Sequence, residues 1–120
     1  MLKFFFTCVF LAFFTFSSPV RAETGRAMEV SWYGAEVQGN RMANGKRFDM
    51  NDATIAAHRH FPFGTRLQLT DPDSGRSILV IVQDRGPFVR GRDLDVSKAA
   101  AQHIGILHTG VKKLLVNVIR

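Results

Sequence analysis

From residue 28 onward, apolar and polar positions alternate in short runs, each closed by glycine, proline or a cluster of Asn, Asp and Ser; this is the pattern of short strands, not long helices. Met28 to Tyr33 predicts a first strand ending at Gly34, Gly39 to Gly45 a polar loop, and Thr54 to Ala57 a short extended or helical piece ahead of His58. After the turn Phe61-Pro62-Phe63-Gly64, the run Arg66-Leu67-Gln68-Leu69-Thr70 alternates with period two. Asp71-Pro72-Asp73-Ser74-Gly75 is a turn, and Ser77 to Gln83 returns as the hairpin partner. Ser77 to Val82 alternates too weakly to have a wet face, so this strand is expected to be buried. Leu94 and Val96 flank Asp95 in a short extended piece, Ser97 caps a helix over Lys98 to Ile104 that Gly105 ends, and Leu114 to Ile119 supplies a last strand. The chain therefore reads as mainly β with one or two short helices. Many short strands in a small domain suggest a closed barrel, which leaves no exposed sheet edge, but periodicity does not specify which barrel.

Residues 1–22 break this pattern. Lys3 supplies a positive charge, Phe4 to Phe16 is almost unbroken apolar sequence, and Val20-Arg21-Ala22 fits small residues before a cleavage site, so the segment reads as a secretory signal peptide. Its apolar run of about 13 residues is short for a ~30 Å hydrocarbon core, which argues against a stable membrane anchor. Cys8 lies inside that run without the small preceding residue of a lipoprotein site. The expected organisation is a signal at 1–22, a short linker at 23–28 and one domain at 29–120, exported to the periplasm or cell envelope. The only cysteine leaves with the signal, so the domain folds without a disulfide. The full chain holds 16 basic and 10 acidic residues; without Lys3 and Arg21 the balance is 14 to 10. The basic residues are scattered singly, without a basic helix or interleaved aromatics, which argues against nucleic acid and favours an anionic polymer outside the cytoplasm. No cofactor is expected, and His60, His103 and His108 lack metal-ligand spacing, so no metal is expected either. The domain is expected to act as a monomer.

The candidate chemistry centres on Val82-Gln83-Asp84-Arg85-Gly86-Pro87-Phe88, where an apolar strand stops on a carboxylate beside a cation. Asp84 is either a working carboxylate or a partner of Arg85 that caps the Gly-Pro turn. Trp32 and Tyr33 offer flat aromatic faces for a sugar. Alternation along Val30-Ser31-Trp32-Tyr33 turns one of the two outward, which assigns Tyr33 to a groove and leaves Trp32 between groove and core. Asn44 is a turn residue or an N-acetyl partner, and Phe61, Phe63 and Phe88 read as core or turn anchors. His58 is a site residue or a packed donor to a backbone carbonyl. Asp49 reads as a loop-steadying residue or a second polar group, and Asp95 as a turn or cap residue near the helix start.

Taken together and in order, Ser31-Trp32-Tyr33-Gly34, Ala43-Asn44-Gly45 with Phe48-Asp49-Met50, Ala56-Ala57-His58, Phe61-Pro62-Phe63-Gly64-Thr65, Asp84-Arg85-Gly86-Pro87-Phe88 and Asp95-Val96-Ser97 closely resemble the rare lipoprotein A (RlpA) family over residues 29–120. The resemblance implies a six-stranded double-psi β-barrel and cleavage of peptidoglycan glycan strands, with a preference for strands stripped of stem peptides. Cell-division or cell-wall proteins are the partner class it implies. By position it makes Asp84, His58 and Asp49 the catalytic candidates and could also place Asp95 in the site. Tyr33, Trp32, Asn44 and Arg85 are the substrate-binding candidates. Gly45-Lys46 stands where many members carry Gly-Glu, which replaces a possible second acid with a cation. No counterpart of the C-terminal peptidoglycan-binding repeat of longer members is expected here, which leaves the barrel groove to bind glycan.

A glycoside hydrolase uses two carboxylates. A lytic transglycosylase can use one, because the muramoyl 6-hydroxyl attacks its own anomeric carbon and closes a 1,6-anhydro ring between MurNAc and GlcNAc without water. The expected function is such a lyase, with Asp84 as general acid and then base, provided Asp84 is partly protonated at working pH. The alternative is an expansin-like module that binds cell-wall glycan without cleaving it. A hydrolase would need Asp49 as its second acid.

Overall fold

The structure, a computed structural model, describes residues 25–120; the expected signal at 1–22, with Cys8, and the first two linker residues lie outside the described residues. In chain order the elements are β1 (Arg26–Tyr33), a 3-10 turn (Ala35–Val37), β2 (Ile55–Ala57), β3 (Arg66–Thr70), β4 (Ser77–Asp84), β5 (Leu94–Ser97), α1 (Lys98–Ile104) and β6 (Val111–Ile119). The six strands close into a barrel in the order β1-β5-β2-β4-β3-β6. β1 runs parallel to β5 and β2 parallel to β4, while the other four contacts are antiparallel. This is the mixed six-stranded barrel with one short helix that the family resemblance implies.

Period-two alternation sends one side chain in two to the barrel interior. Val30, Leu67, Leu69, Val80, Val82, Leu94, Val96 and Leu114 fill it and are all fully buried. α1 closes it with Ala100, Ala101 and Ile104, where two alanines let the helix approach closely. Ser97 starts this helix as expected: its hydroxyl accepts the Ala100 N–H at 3.2 Å and donates to the Asp52 carbonyl at 2.6 Å. Gly105 ends it in the left-handed conformation with its N–H on Ala101 and Gln102 carbonyls. A satellite cluster of Met42, Phe48 and Ile55 folds the 40–50 loop onto the flank of the barrel, with Tyr33, Val37 and Met50 packed against it.

Two expectations change. Residues 26 and 27, read as linker, belong with Met28 to β1: Arg26, Ala27 and Met28 pair with Val116, Leu115 and Leu114, and Met28 is buried. The short polar start of that strand hides the pairing, because Arg26 and Ala27 face solvent. β4, read as buried throughout, does alternate: Val80 and Val82 are fully buried, while Ile81 between them is half-buried and Leu79 on the same face is 45% exposed. A closed barrel has a single inner face, and an aliphatic residue on the outer face looks like core to a sequence pattern. We expect Leu67→Ala to cost about 2–5 kcal/mol in denaturant unfolding and Leu79→Ala no more than about 0.5 kcal/mol. Equal costs would contradict the one-faced barrel.

Candidate active site

The barrel places two carboxylates in one row. Asp84 is the last residue of β4 and Asp95 the second of β5, and β2 lies between these strands. A register shift between Ala56 and Ala57 leaves Ala57 opposite Asp84 on one side and Asp95 on the other. Two strand spacings put the acid backbones about 10 Å apart, and the methyl of Ala57 leaves the space between them open. Tyr33, Ala57, Asp84, Asp95, Arg92 and Phe88 contribute to the walls of a cleft of about 350 Å³ at this row.

The two acids stand in different environments. Asp84 Oδ1 accepts two backbone N–H groups, from Ala43 and from Arg85, each at 2.9 Å. Ala43 is brought there by the 40–50 loop, whose Asn44 N–H also reaches the Gln83 carbonyl. Tyr33 is stacked on Phe48 at 4.3 Å between ring centroids, and its hydroxyl points at Asp84 Oδ2 across 3.5 Å, long for a hydrogen bond. Burial, with Asp84 and Asp95 nearby, pushes the Tyr33 phenol far above its ordinary range, so it stays protonated. Asp95 sits between the core residues Leu94 and Val96 and therefore points to the opposite face, beside Ser31 of β1, whose hydroxyl donates to Asp95 Oδ1. Burial pushes the Asp95 carboxyl above the ordinary carboxylate range; the Ser31 hydrogen bond and Arg92 oppose this, while Glu36 and Asp84 add to it. The cleft thus holds one carboxyl group fastened by peptide N–H donors and a second that burial biases toward its protonated form.

The other residues singled out in the sequence fall in different places. Tyr33 lines the cleft, as alternation along β1 requires. Trp32 faces the other way: it packs on the core and its Nε1–H donates to the Leu107 carbonyl at 3.2 Å, so it is no groove residue. His58 is buried, and its Nδ1 accepts the backbone N–H groups of His60 and Phe61, both at 3.0 Å, which leaves the ring proton on Nε2. Its ring stacks on Phe61 at 4.0 Å and lines a separate cleft with Arg26, His60 and Asp93; burial first and Arg59 second pull its pKa down. The expected donor to a carbonyl is therefore an acceptor from N–H groups, and the ring does not line the Asp84–Asp95 cleft. Asp49 is exposed and holds a turn by accepting the Asn51 N–H at 2.9 Å, which separates it from the acid pair. Asn44 Oδ1 likewise accepts the Lys46 N–H, and both residues line a neighbouring cleft with Asp52 and Thr54. Arg85 is a clamp: its guanidinium donates to the carbonyls of His58 and Phe61 and lies 3.9 Å above the Phe63 ring. Phe88, read as an anchor, is 80% exposed on the rim of the cleft.

Asp95 is the residue that the motif reading undervalued. Its signal was present, an acid between two aliphatic residues in a short strand, but a helix cap two residues later offers the same acid a commonplace role. Among the described residues no group of three or more His, Cys, Asp or Glu side chains is gathered as a metal site.

The geometry can be set beside known proteins. A family model described as "Lytic transglycolase" matches residues 25–116. A Synechocystis sp. protein named "Probable endolytic peptidoglycan transglycosylase RlpA" is 42% identical over 106 residues, which are 88% of this chain and 33% of that protein. The chain thus spans about a third of the length of that relative. Among solved structures, the Streptomyces papain inhibitor superposes with a TM-score of 0.63 at 22% identity over 81% of this chain and 97% of its own. The apo expansin of Clavibacter michiganensis gives a TM-score of 0.59 at 22% identity over 78% of this chain and 50% of its own. At such identities the structural likeness shows the fold alone. The family model and the Synechocystis relative show more: the chain belongs to the RlpA-type lytic transglycolase family of double-psi β-barrels.

Proposed function

We propose that this domain is a peptidoglycan lytic transglycosylase of the cell envelope, exported by its N-terminal segment, in which Asp95 is the general acid and base. The row Asp84–Ala57–Asp95 carries this reading. A proton donor to a glycosidic oxygen must be protonated near working pH, and burial biases Asp95 that way. Asp95 gives its proton to the oxygen between MurNAc and GlcNAc as the C1–O bond breaks. The resulting carboxylate then takes the proton of the muramoyl 6-hydroxyl as that oxygen bonds to C1, which closes the 1,6-anhydro ring and returns Asp95 to its starting form. Asp84, fastened by the Ala43 and Arg85 N–H groups, faces the same space and stabilises the positive charge that builds at the anomeric carbon. The first expectation, Asp84 as acid and base, is set aside in this proposal because its Oδ1 is held by two N–H donors, while burial favours the Asp95 carboxyl as the acid.

Lys46 does not remove an acid from this arrangement, because it is exposed and lines the neighbouring cleft with Asn44. This weakens the case for a non-catalytic, expansin-like module, for which the missing acid was the motivation.

With residues 23–120 and amidase-treated peptidoglycan, mass spectrometry should detect anhydro-terminated fragments from the parent protein. Asp95→Asn should lower their rate of release by about 10²–10⁴-fold. Fragments released by Asp95→Asn at the parent rate would refute the assignment. The same variant should be no less stable than the parent at neutral pH. A carboxyl whose folded pKa is raised supports the fold at low pH and loses that contribution as pH rises through the folded value, a loss that asparagine escapes. Ser31→Ala offers a finer test. The Ser31 hydroxyl favours the charged Asp95, so its removal should move the alkaline limb of the kcat/KM profile to higher pH. An unmoved limb would mean that Asp95 is not the titrating acid.

A further inference from the structure

We propose that the cleft on the far side of Phe88 is a second glycan subsite that reads the carboxylate carried by a muramoyl residue, with Phe88 as its platform and Arg90 and Arg92 as its anion partners. The inference rests on the peptidoglycan reading above. This cleft, about 430 Å³, is lined by Arg59, Phe88, Val89, Arg90, Arg92 and Asp93 and shares Phe88, Val89 and Arg92 with the cleft of the two acids, so the two form neighbouring compartments along one path.

Three observations give the second compartment its chemistry. Phe88 is 80% and Val89 52% exposed, an apolar pair on a loop tip outside both core clusters. Such a pair suits the C–H face of a sugar ring. The loop is held in place beneath them. Arg59 Nη1 donates to the carbonyls of Pro87 at 3.0 Å and Arg92 at 2.9 Å, and Gly86 turns the chain at φ 124°, a conformation closed to side-chain-bearing residues. A fixed platform binds at lower ordering cost than a floppy one.

The third observation is a charge imbalance. Asp93 is the acid in the cleft, and it is engaged: its Oδ1 lies 3.7 Å from Arg59, and its Oδ2 accepts the Glu29 N–H at 2.9 Å. Among the described residues, no ion pair within 4 Å involves Arg90 or Arg92. Both are exposed, and both guanidinium groups are open to a planar carboxylate, the anion their donor fork fits best. Along a glycan of alternating GlcNAc and MurNAc, the muramoyl residue carries the acid, either as the free lactyl carboxylate of a stripped strand or through the carboxylates of an attached stem peptide.

The test measures binding, so that it stands apart from catalysis. Asp95→Asn protein is titrated calorimetrically with three hexasaccharides: chitohexaose, which has no carboxylate, amidase-treated glycan, and glycan bearing stem peptides. We expect a carboxylated strand to bind about tenfold more tightly than chitohexaose, with a margin that shrinks as salt rises. Arg90→Gln should shrink that margin and leave chitohexaose binding unchanged, adding Arg92→Gln should erase the margin, and Phe88→Ala should weaken all three. These side chains are exposed, so the variants should melt with the parent. An arginine-dependent margin for the stripped strand identifies the lactyl group, and one confined to the peptide-bearing strand identifies the stem peptide; either supports the subsite. No margin over chitohexaose, or one that survives both arginine substitutions, overturns it. A margin that persists while the unsubstituted protein releases no anhydro product would retain the subsite and reject the transglycosylase.

Discussion

β2 has three residues, Ile55–Ala57, yet it hydrogen-bonds parallel to β4 on one side and antiparallel to β5 on the other. Without it the barrel would open between those strands, and the two acids they carry would lose their common reference. The register shift at Ala56/Ala57 does the positioning, since it sets one small residue opposite both Asp84 and Asp95. All three residues of β2 are buried, so the element that positions the chemistry is also locked into the core.

Around that row, each acid is tuned by a different kind of neighbour. Asp84 meets peptide N–H groups that come from the 40–50 loop and from its own chain continuation, so its environment is built by the satellite cluster of Met42, Phe48 and Ile55. Asp95 meets burial and one hydroxyl, which is why burial dominates its shift and Ser31 only moderates it. Two like side chains in one cleft thereby stand in different surroundings, and burial biases Asp95 toward the protonated form that acid catalysis needs.

Arginines extend this logic outward. Arg85 and Arg59 spend their donors on backbone carbonyls and stiffen the loop after β4, whereas Arg92 and Arg90 remain turned to solvent along the rim. Residues of one type therefore divide between building the loop and facing a ligand, and nothing in their local sequence separates the two groups. Phe88 and Phe61 divide in the same way: one is a loop tip in water, the other packs against the core and the His58 ring.

Local rules sufficed for much of the chain. The hairpin of β3 and β4, the helix between Ser97 and Gly105, and Tyr33 facing opposite to Trp32 all follow from turn chemistry, capping and period-two alternation, which act within a few residues. The order of motifs carried the family and through it the barrel. Tertiary structure alone decided what depends on pairing between distant strands. Met28 became core because Leu114 lies beside it, and Leu79 became surface because a closed barrel has one inside. His58 became an acceptor of backbone N–H groups, Asp49 a turn holder, and Asp95 the half-buried acid of the cleft, since β5 meets β1 and β2 there. A carboxylate shows its residue type in the sequence, but its solvent exposure and its neighbours are properties of the assembled sheet, and these decide what chemistry it can do.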